Sequence, residues 1–557
     1  MSRAAAPLAL LVLTLLVAGA PARGADRTAP AEDDYARGVR LLDEGEWTQA
    51  LPLYQKITRE NPTYPWGWLG LGWSLHHTGN PAAALPAYRR ARQLGALDDH
   101  RLLLESSRCH LLLGHRDSAM TYLRLAIDAG MPNPVRLARD NQLTGLAADP
   151  EFVALLGLDT TGVTRAEGWR HDLRLLAREI GRIRVEPYRS LPAADLEREI
   201  ARLSSAVESL DDDRMGAEVM KLVVRLGDGH TVAQPPFMAE GAPVLPLLFA
   251  QFDDGVFVTA TDSARTELLW AEVLEVDGHP IAQVLDALEP FAPRDNPIRV
   301  KSVAPRYLRR PRLLHAIGLA ASGDAVSLGV RDRSGRRRSL RVPVTRESGD
   351  WVRVPAGRAL PLYAQRRTTY HWFEMLPDST LYFQYNGVAD ADTETVAEFA
   401  RKLLARLDRG DAARLVIDLR WNGGGNLMLN PPLLEAIIQA RNVNRPGHLF
   451  VIASRHTFSA AMVFAGLLDR YTHAIFVGEP TGSSPNFIGE STTNVLPWSR
   501  IEVSLSNRAW QSTHAMDHRV WIPPRIPVAW TFASYREGRD PALEAIRKSV
   551  ATGIATP

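Results

Sequence analysis

The sequence predicts a multidomain protein in which an all-α array of helical repeats precedes an α/β core that carries a small β-rich module. Three observations support this: small residues recur about every 34 positions in the first quarter, short alternating runs follow in the middle, and strand-length apolar runs alternate with helix-like stretches after Leu381. The chain has 557 residues, enough for about three or four domains.

Composition narrows the class of protein. Hydrophobic residues make up 45% and charged residues 23%, which is typical of a globular chain. The 65 basic and 63 acidic residues nearly cancel, so we expect no nucleic-acid partner. Cys109 is the only cysteine, which excludes a disulfide within the chain and a cysteine-based metal centre.

Residues 1–24 have the pattern of a secretory signal peptide. Arg3 precedes an apolar run from Ala4 to Ala20, and the small residues Ala22 and Gly24 follow. The run is shorter than the ~20 apolar residues that a membrane span needs. We therefore expect cleavage, a periplasmic or secreted mature chain and no transmembrane span; the alternative is an uncleaved anchor.

Residues 32–155 contain three similar units. Glycine and alanine recur at matching offsets, followed by larger residues, at Gly45, Gly79 and Gly114, at Ala50, Ala84 and Ala119, and at Tyr54, Tyr88 and Leu123. This spacing matches the tetratricopeptide repeat, whose small residues let two helices approach closely. The array is either a groove for a protein partner or a helical cap.

Residues 165–243 are predicted to be helical, because Leu196, Ile200 and Leu203 recur at helix spacing. Residues 244–345 form the β-rich module, in which residues 273–280 read as strand, turn and strand and resemble a PDZ-type hairpin.

The core is predicted over residues 365–550. Its strands are expected at Leu381–Tyr385, Leu415–Leu419, Leu449–Ala453 and Ala474–Val477. Its helices are expected at Glu394–Leu407, Pro432–Ala440 and Ser459–Leu468. The alternation indicates a mostly parallel sheet covered by helices.

Two loops of this core could support nucleophilic catalysis. Ser459 lies where a strand meets a helix, so the N–H of Ala460 could hold an oxyanion beside it; the alternative is a simple N-cap. Gly423 and Gly424 lie in a glycine run after a strand and could supply a second N–H donor, or merely form a turn. Neither loop has the Gly-Lys-Ser/Thr of a phosphate loop.

A serine nucleophile needs a base. No lysine lies between Lys402 and Lys548, so histidine is the remaining choice. His230, in a Gly-Asp-Gly-His-Thr loop, is the first candidate, and His456 is its rival. Three carboxylates remain open as the group that orients the base: Asp517, Glu490 and Asp228.

We expect no metal and no cofactor. His76 and His77 are adjacent and face apart on a helix, and the chain has no H-E-x-x-H motif. His514 and His518 are four residues apart, but no helix is predicted there.

Together, GDGHT at 227–231, DLRWNGGGN at 418–426 and TFSAAMVFA at 457–465 resemble the tail-specific (C-terminal-processing) serine peptidase family. FVGEPTG at 476–482 and GRDPALEAI at 538–546 extend the likeness. The most similar branch comprises the tricorn-core and interphotoreceptor-retinoid-binding-protein-like members.

The resemblance implies a crotonase/ClpP-like ββα core that hydrolyses peptide bonds without a cofactor. It implies Ser459 as nucleophile, His230 as base and Asp517 as the acid that orients the base. It also implies oxyanion donors at Gly424 and Ala460.

Other members carry a lysine where residues 481–486 have none, so a Ser–His mechanism is expected here. Glu490 and Asn486 are secondary site candidates. The resulting hypothesis is a secreted or periplasmic serine endopeptidase with a peptide or protein substrate. The alternative is a non-catalytic ligand- or protein-binding scaffold on the same fold.

Overall fold

A computed structural model describes residues 34–96, 99–131, 134–157, 162–346 and 349–551. The chain divides into two compact units, Met1–Thr161 and Gly162–Pro557. The predicted signal peptide at 1–24 lies outside the described residues. Among the described residues, no helix combines the length and the apolar character that crossing a membrane would require.

The first unit consists of antiparallel helices. They are α1 (Asp34–Asp43), α2 (Trp47–Glu60), α3 (Pro65–His77), α4 (Pro81–Gln93), α5 (Asp99–Leu112), α6 (Arg116–Asp128) and α7 (Pro150–Leu155). Close packing explains the small residues of the repeat. A Cβ added at Gly70 would lie 2.2 Å from the ring of Tyr54, and one at Gly72 would lie 2.6 Å from Tyr88.

The second unit begins with helices that pack beneath a sheet module. The helices are α8 (Arg165–Ile183), α9 (Ala193–Ala206) and α10 (Asp212–Val224). The next elements are β1 (Val232–Gln234), β2 (Leu247–Phe252), β3 (Gly255–Thr261), β4 (Glu272–Val276), β5 (His279–Pro280), α11 (Ile281–Leu288), α12 (Val300–Tyr307), α13 (Pro311–Ala316), β6 (Ala325–Arg331) and β7 (Arg337–Pro343).

The module at 244–345 forms an antiparallel sheet in the order β2-β3-β4-β6-β7. Its predicted strand–turn–strand is present as β4 and β5, joined by Asp277 and Gly278 at φ 45° and 82°. The module holds more helix than the sequence predicts. Helices α11 and α13 bury Val284, Leu288 and Leu313 in the core, and this packing stabilises helix between the strands.

The remaining elements complete the core. They are α14 (Leu362–Gln365), β8 (His371–Met375), β9 (Thr380–Tyr385), α15 (Val396–Leu407), β10 (Arg414–Asp418), α16 (Pro431–Gln439), β11 (Leu449–Ala453), α17 (Ala460–Tyr471), β12 (Ile475–Gly478), β13 (Asn486–Val495), β14 (Glu502–Gln511), β15 (Ile526–Pro527), α18 (Phe532–Arg536) and α19 (Pro541–Ala551). The predicted strands correspond to β9–β12, and the predicted helices to α15–α17.

Six of these strands form a sheet in the order β15-β12-β11-β10-β9-β8, in which only β8 is antiparallel to its neighbour. The central strands are buried on both faces, as a helix-covered parallel sheet requires. A third sheet, in the order β1-β14-β13, pairs Val232 with Ser504. This pairing brings the loop after α10 to the core, although the two segments are far apart in sequence.

Candidate active site

Ser459 lies at the turn between β11 and α17, with φ 55° and ψ −126°. A residue with a Cβ seldom adopts positive φ, and such strain costs on the order of 1–3 kcal/mol. The side chain makes no N-cap hydrogen bond, so the N-cap alternative does not apply to this hydroxyl. The turn therefore presents Oγ to a different partner.

That partner is His230. Its Nε2 lies 3.0 Å from Ser459 Oγ, although 229 positions separate the two residues. The structure thus brings together the predicted nucleophile and the predicted base in the geometry that proton transfer needs.

Two phenyl rings hold the imidazole. The His230 ring stacks on Phe458 at 4.4 Å between centroids and on Phe487 at 5.5 Å. Gly229 makes room for this arrangement, because a Cβ there would lie 2.7 Å from the Phe458 ring. The sequence does not reveal this role: Phe458 lies inside a recognised motif, but nothing in the sequence places Phe487 against a histidine.

Asp228 fixes the backbone of the histidine loop. Its carboxylate accepts the N–H groups of His230 at 3.0 Å and Thr231 at 2.6 Å, and the Ser506 hydroxyl at 2.7 Å. Arg184 forms a salt bridge with it at 2.6 Å, and both side chains are buried. Asp228 therefore holds the loop that carries the histidine and makes no hydrogen bond with the imidazole.

A second carboxylate, which the sequence analysis did not identify, also holds this loop. Asp295 Oδ1 accepts the N–H of Gly229 at 2.8 Å, and its other oxygen accepts the Ser483 hydroxyl. Burial raises the pKa of Asp295 to about 6. No motif surrounds Asp295 in the sequence, so only its position in the fold reveals the contact.

Burial lowers the pKa of His230 to about 4. The negative charge of Asp228 and the Ile488 backbone act in the opposite direction, while the positive charge of Arg299 lowers the pKa further. The imidazole is therefore neutral at pH 7 and can accept a proton.

The expectation that Asp517 orients His230 is wrong. The Asp517 carboxylate is engaged by Arg519, with contacts of 2.7 and 2.9 Å, and this guanidinium holds the pKa of Asp517 well below its usual range. Arg519 also binds Asp469 at 2.8 Å. Asp517 and Arg519 are only two positions apart, so they pair readily. The Asp517 carboxylate is therefore not left to bind a distant histidine. Among the described residues, no carboxylate accepts a hydrogen bond from His230 Nδ1.

The two secondary candidates also have other roles or none at the site. Glu490 is exposed on β13. The Asn486 amide donates to the backbone oxygens of His514 at 2.8 Å and Asp517 at 3.3 Å, and accepts the Thr513 N–H at 3.2 Å. Asn486 therefore secures the loop after β14.

If Asp517 only pairs with Arg519 and the chain hydrolyses peptides as the sequence resemblance implies, Asp517→Asn should leave kcat within about twofold of wild type. Steady-state kinetics on a fluorogenic peptide measure this, with Asp469→Asn as the matched control that removes the other carboxylate bound to Arg519. A tenfold fall in kcat confined to Asp517→Asn would restore its predicted role in catalysis.

The glycine run lies against the nucleophile, as its predicted role requires. A Cβ added at Gly424 would lie 2.6 Å from Ser459 Cβ and 3.0 Å from Ala460 N. However, the Gly424 N–H donates to Asn422 Oδ1 at 3.0 Å, because an asparagine side chain closes a turn over the residue two positions on. The Gly424 N–H is therefore occupied here, and its role as an oxyanion donor stays a prediction. Within the described residues, the N–H groups of Gly423 and Ala460 make no hydrogen bond.

The rival base, His456, faces elsewhere. Its Nδ1 lies 2.8 Å from the Ser302 hydroxyl, and its ring lies 4.9 Å from that of Trp421. Burial and nearby arginines hold its pKa well below the usual range. No cluster of three or more histidine, cysteine or acidic side chains suited to a metal occurs in the described ranges.

Comparisons with known proteins agree with both halves of this architecture. Residues 35–99 and 79–134 match the tetratricopeptide repeat family model. Two structures of CPAF, one of the mature protein complexed with lactacystin and one of a serine-to-alanine mutant, are each 15% identical with a TM-score of 0.50. The alignments cover 70% of this chain and 98% of theirs.

The second unit has a CPAF-like fold. The predicted fold class, a helical-repeat array followed by an α/β core of this type, is confirmed. A weaker likeness is to the photosystem II D1 C-terminal processing protease, at 15% identity and a TM-score of 0.35 over 70% of this chain and 98% of that one. A comparison with curated protein sequences finds no match.

Proposed function

We propose that the chain is a serine peptidase that cleaves peptide bonds in peptides or proteins. The observation that carries the proposal is the 3.0 Å contact between His230 Nε2 and Ser459 Oγ at a strained strand-to-helix turn. A neutral imidazole beside an uncapped serine hydroxyl is the arrangement that nucleophilic catalysis requires.

In the first step, His230 Nε2 accepts the Ser459 hydroxyl proton while Oγ bonds to the peptide carbonyl carbon. The carbonyl π electrons move to its oxygen, which becomes the oxyanion. When this tetrahedral intermediate collapses, the peptide C–N bond breaks, and the leaving amine takes the proton from Nε2. The remaining acyl group is an ester on Ser459 Oγ. Water then attacks this ester with His230 again as base, which releases the carboxylic acid product and restores the serine hydroxyl.

The surroundings act differently on the two charges that form. Burial disfavours an imidazolium at His230, and the carboxylate of Asp228 and the Ile488 backbone offset this in part. The N–H groups of Ala460 and Gly423 are available to the oxyanion, whereas that of Gly424 donates to the buried Asn422 side chain.

A fluorophosphonate probe tests the assignment. We expect it to label the wild-type chain, and Ser459→Ala to abolish both labelling and peptide hydrolysis. Ser205→Ala, which removes an exposed serine hydroxyl on α9, is the control. Labelling that persists in Ser459→Ala would refute the nucleophile. A wild-type chain that neither reacts nor hydrolyses peptides would favour the binding scaffold instead.

The pH dependence follows from His230. Because only the neutral ring accepts a proton and its pKa is about 4, kcat/KM should stay level from pH 7 to pH 5 and fall as the pH drops through about 4. Initial rates in constant-ionic-strength buffers measure this, with intrinsic fluorescence monitoring folding at each pH. A fall centred near pH 6.5 would show a solvated histidine and contradict the buried geometry.

We also propose that the protein is exported and loses residues 1–24. Intact-mass measurement of the chain from the periplasm or medium should give an N-terminus near Ala25. A chain that keeps Met1 in the cytoplasm would contradict this proposal.

We further propose that the tetratricopeptide repeats bind a protein partner. Deleting residues 34–155 should abolish co-purification of that partner and leave fluorophosphonate labelling of the second unit intact. Unchanged co-purification would instead favour a helical cap.

A further inference from the structure

A cavity of about 660 Å³ lies between the β-rich module and the core, and we call it the hairpin cavity. From the module, the turn between β6 and β7 contributes Arg333, and the segments of β3 and β4 contribute Phe257 and Trp270. From the other side, Arg358 lies in the linker before α14, and Arg536 lies on α18. Among the described residues that line the cavity, none belongs to the candidate active site. The hairpin cavity is therefore a separate recess of the second unit.

Three arginines that line the hairpin cavity are unpaired within the described ranges. There, Arg333, Arg358 and Arg536 form neither an ion pair nor a side-chain hydrogen bond, and all three residues are exposed. Arg331, which also lines the cavity, differs because it pairs with Glu272 at 2.8 Å. An anion that enters the cavity would therefore meet three guanidinium groups that are free to bind it.

The carboxylates that line the cavity are, in contrast, already engaged. Asp254 accepts two backbone N–H groups at the start of α18, at 2.7 and 3.1 Å. Glu272 is held by its pair with Arg331, and Asp332 accepts two backbone N–H groups within its own hairpin turn, at 2.9 and 3.1 Å. These bonds keep the negative charges at the wall of the cavity. The unpaired groups are donors, which favours an anionic ligand.

The β6–β7 hairpin adds positive charge around the cavity. Residues 331–341, RDRSGRRRSLR, contain six arginines and one carboxylate, whereas the whole chain carries a net charge of only +2. Strand β7 is an edge strand, and charged side chains on an edge prevent pairing with other strands, which is one explanation for its arginines. That explanation does not cover Arg358 and Arg536, which lie on other elements and line the same cavity. Positive charge from three elements therefore converges on this recess.

The wall between these charges is largely aromatic. Phe257 and Trp270 line the cavity, and the Phe257 ring stacks on that of Phe532 at 3.9 Å between centroids. Pro355 adds another apolar side chain to the lining. An apolar wall with a cationic rim fits a polypeptide segment that carries both acidic and apolar side chains. A flat, hydrated membrane surface would not reach the aromatic rings inside the recess.

We propose that the hairpin cavity binds an acidic segment of the protein substrate, distinct from the segment that is cleaved. The inference rests on the proposed peptidase function and narrows its substrate class. Glu or Asp side chains of that segment would pair with Arg333, Arg358 and Arg536, because planar guanidinium forks match carboxylates. Neighbouring apolar side chains of the segment would pack on Phe257 and Trp270.

Peptide binding is measured by fluorescence anisotropy with Ser459→Ala, so that no cleavage occurs. Two labelled peptides with amidated C-termini are compared, one in which Glu and Leu alternate and one in which Gln replaces every Glu. We expect the Glu peptide to bind about tenfold more tightly, because several partly screened ion pairs each contribute part of that ratio. Arg333→Gln and Arg536→Gln, which alter opposite walls, should each weaken binding of the Glu peptide about threefold and together remove the preference.

Arg341→Gln is the matched control, since it removes an exposed arginine of β7 that does not line the cavity, and it should keep the preference. Arg333→Lys retains the charge and should keep most of the binding, which separates a lost contact from misfolding. Equal binding of the two peptides, or an equal loss in Arg341→Gln, would overturn the proposal. Tighter binding of phosphatidylserine vesicles or of a DNA oligonucleotide than of the Glu peptide would also overturn it, in favour of a general polyanion site.

Fluorophosphonate labelling of the chain that keeps Ser459 reports the peptidase function separately. Labelling should persist in Arg333→Gln and Arg536→Gln, because both residues lie outside the candidate active site. A wild-type chain that is not labelled, together with intact binding of the Glu peptide, would refute the peptidase and leave the hairpin cavity as a site for acidic peptides.

Discussion

Replacing His230 with alanine is expected to lower kcat/KM for peptide hydrolysis by about a hundred- to ten-thousand-fold, the usual effect of losing a general base. His230 Nε2 is the ring nitrogen within 3.0 Å of Ser459 Oγ, and the rival His456 contacts Ser302 instead. Steady-state kinetics give the size of the loss, and the rate of fluorophosphonate labelling shows whether the serine has become less nucleophilic.

His473→Ala provides the matched control, since this exposed histidine lies between α17 and β12. It should leave kcat/KM unchanged. If His230→Ala retained more than a third of the wild-type rate, the imidazole would have no part in proton transfer. The Ser459 hydroxyl would then need a base that this arrangement does not contain.

Asp228→Asn is expected to lower the free energy of unfolding of the second unit by about 3–5 kcal/mol, because it leaves the buried Arg184 guanidinium without a counter-charge. The Arg184 and Asp228 side chains are only 2% and 3% exposed. The same carboxylate accepts the backbone N–H groups of His230 and Thr231, so activity should fall too. Urea unfolding followed by tryptophan fluorescence measures the change in stability.

A double variant separates the effect of the unpaired buried charge on stability from the effect of the lost carboxylate on the position of the histidine loop. Asp228→Asn combined with Arg184→Met removes both buried charges and should recover most of the stability while peptide hydrolysis stays impaired. Glu186→Gln breaks an exposed pair with Arg189 and is the control, with little expected change. A loss below about 1 kcal/mol in Asp228→Asn would show that water reaches Arg184 and that the ion pair does not hold the loop.

The accuracy of each sequence-based prediction depended on how far apart in the sequence the interacting residues lie. Strands β9–β12 and helices α15–α17 were predicted from apolar periodicity, because the spacing of apolar residues in a short segment indicates which side chains are buried. Pairing His230 with Ser459 relied on family resemblance, since no local pattern joins residues 229 positions apart. The orienting acid was predicted wrongly, because Asp517 satisfies its charge with Arg519, its near neighbour.

The sequence by itself determined the helical repeats, the alternating core elements and the chemical identity of Ser459 and His230, because periodicity and residue type are written along the chain. Only the tertiary structure decided that Phe458 and Phe487 enclose the imidazole and that Asn422 Oδ1 accepts the Gly424 N–H. The ring contacts join segments that are distant in the sequence and that strand pairing and core packing bring together. The tertiary structure decides them and the hydrogen bond because interactions of both kinds act through space over a few ångströms.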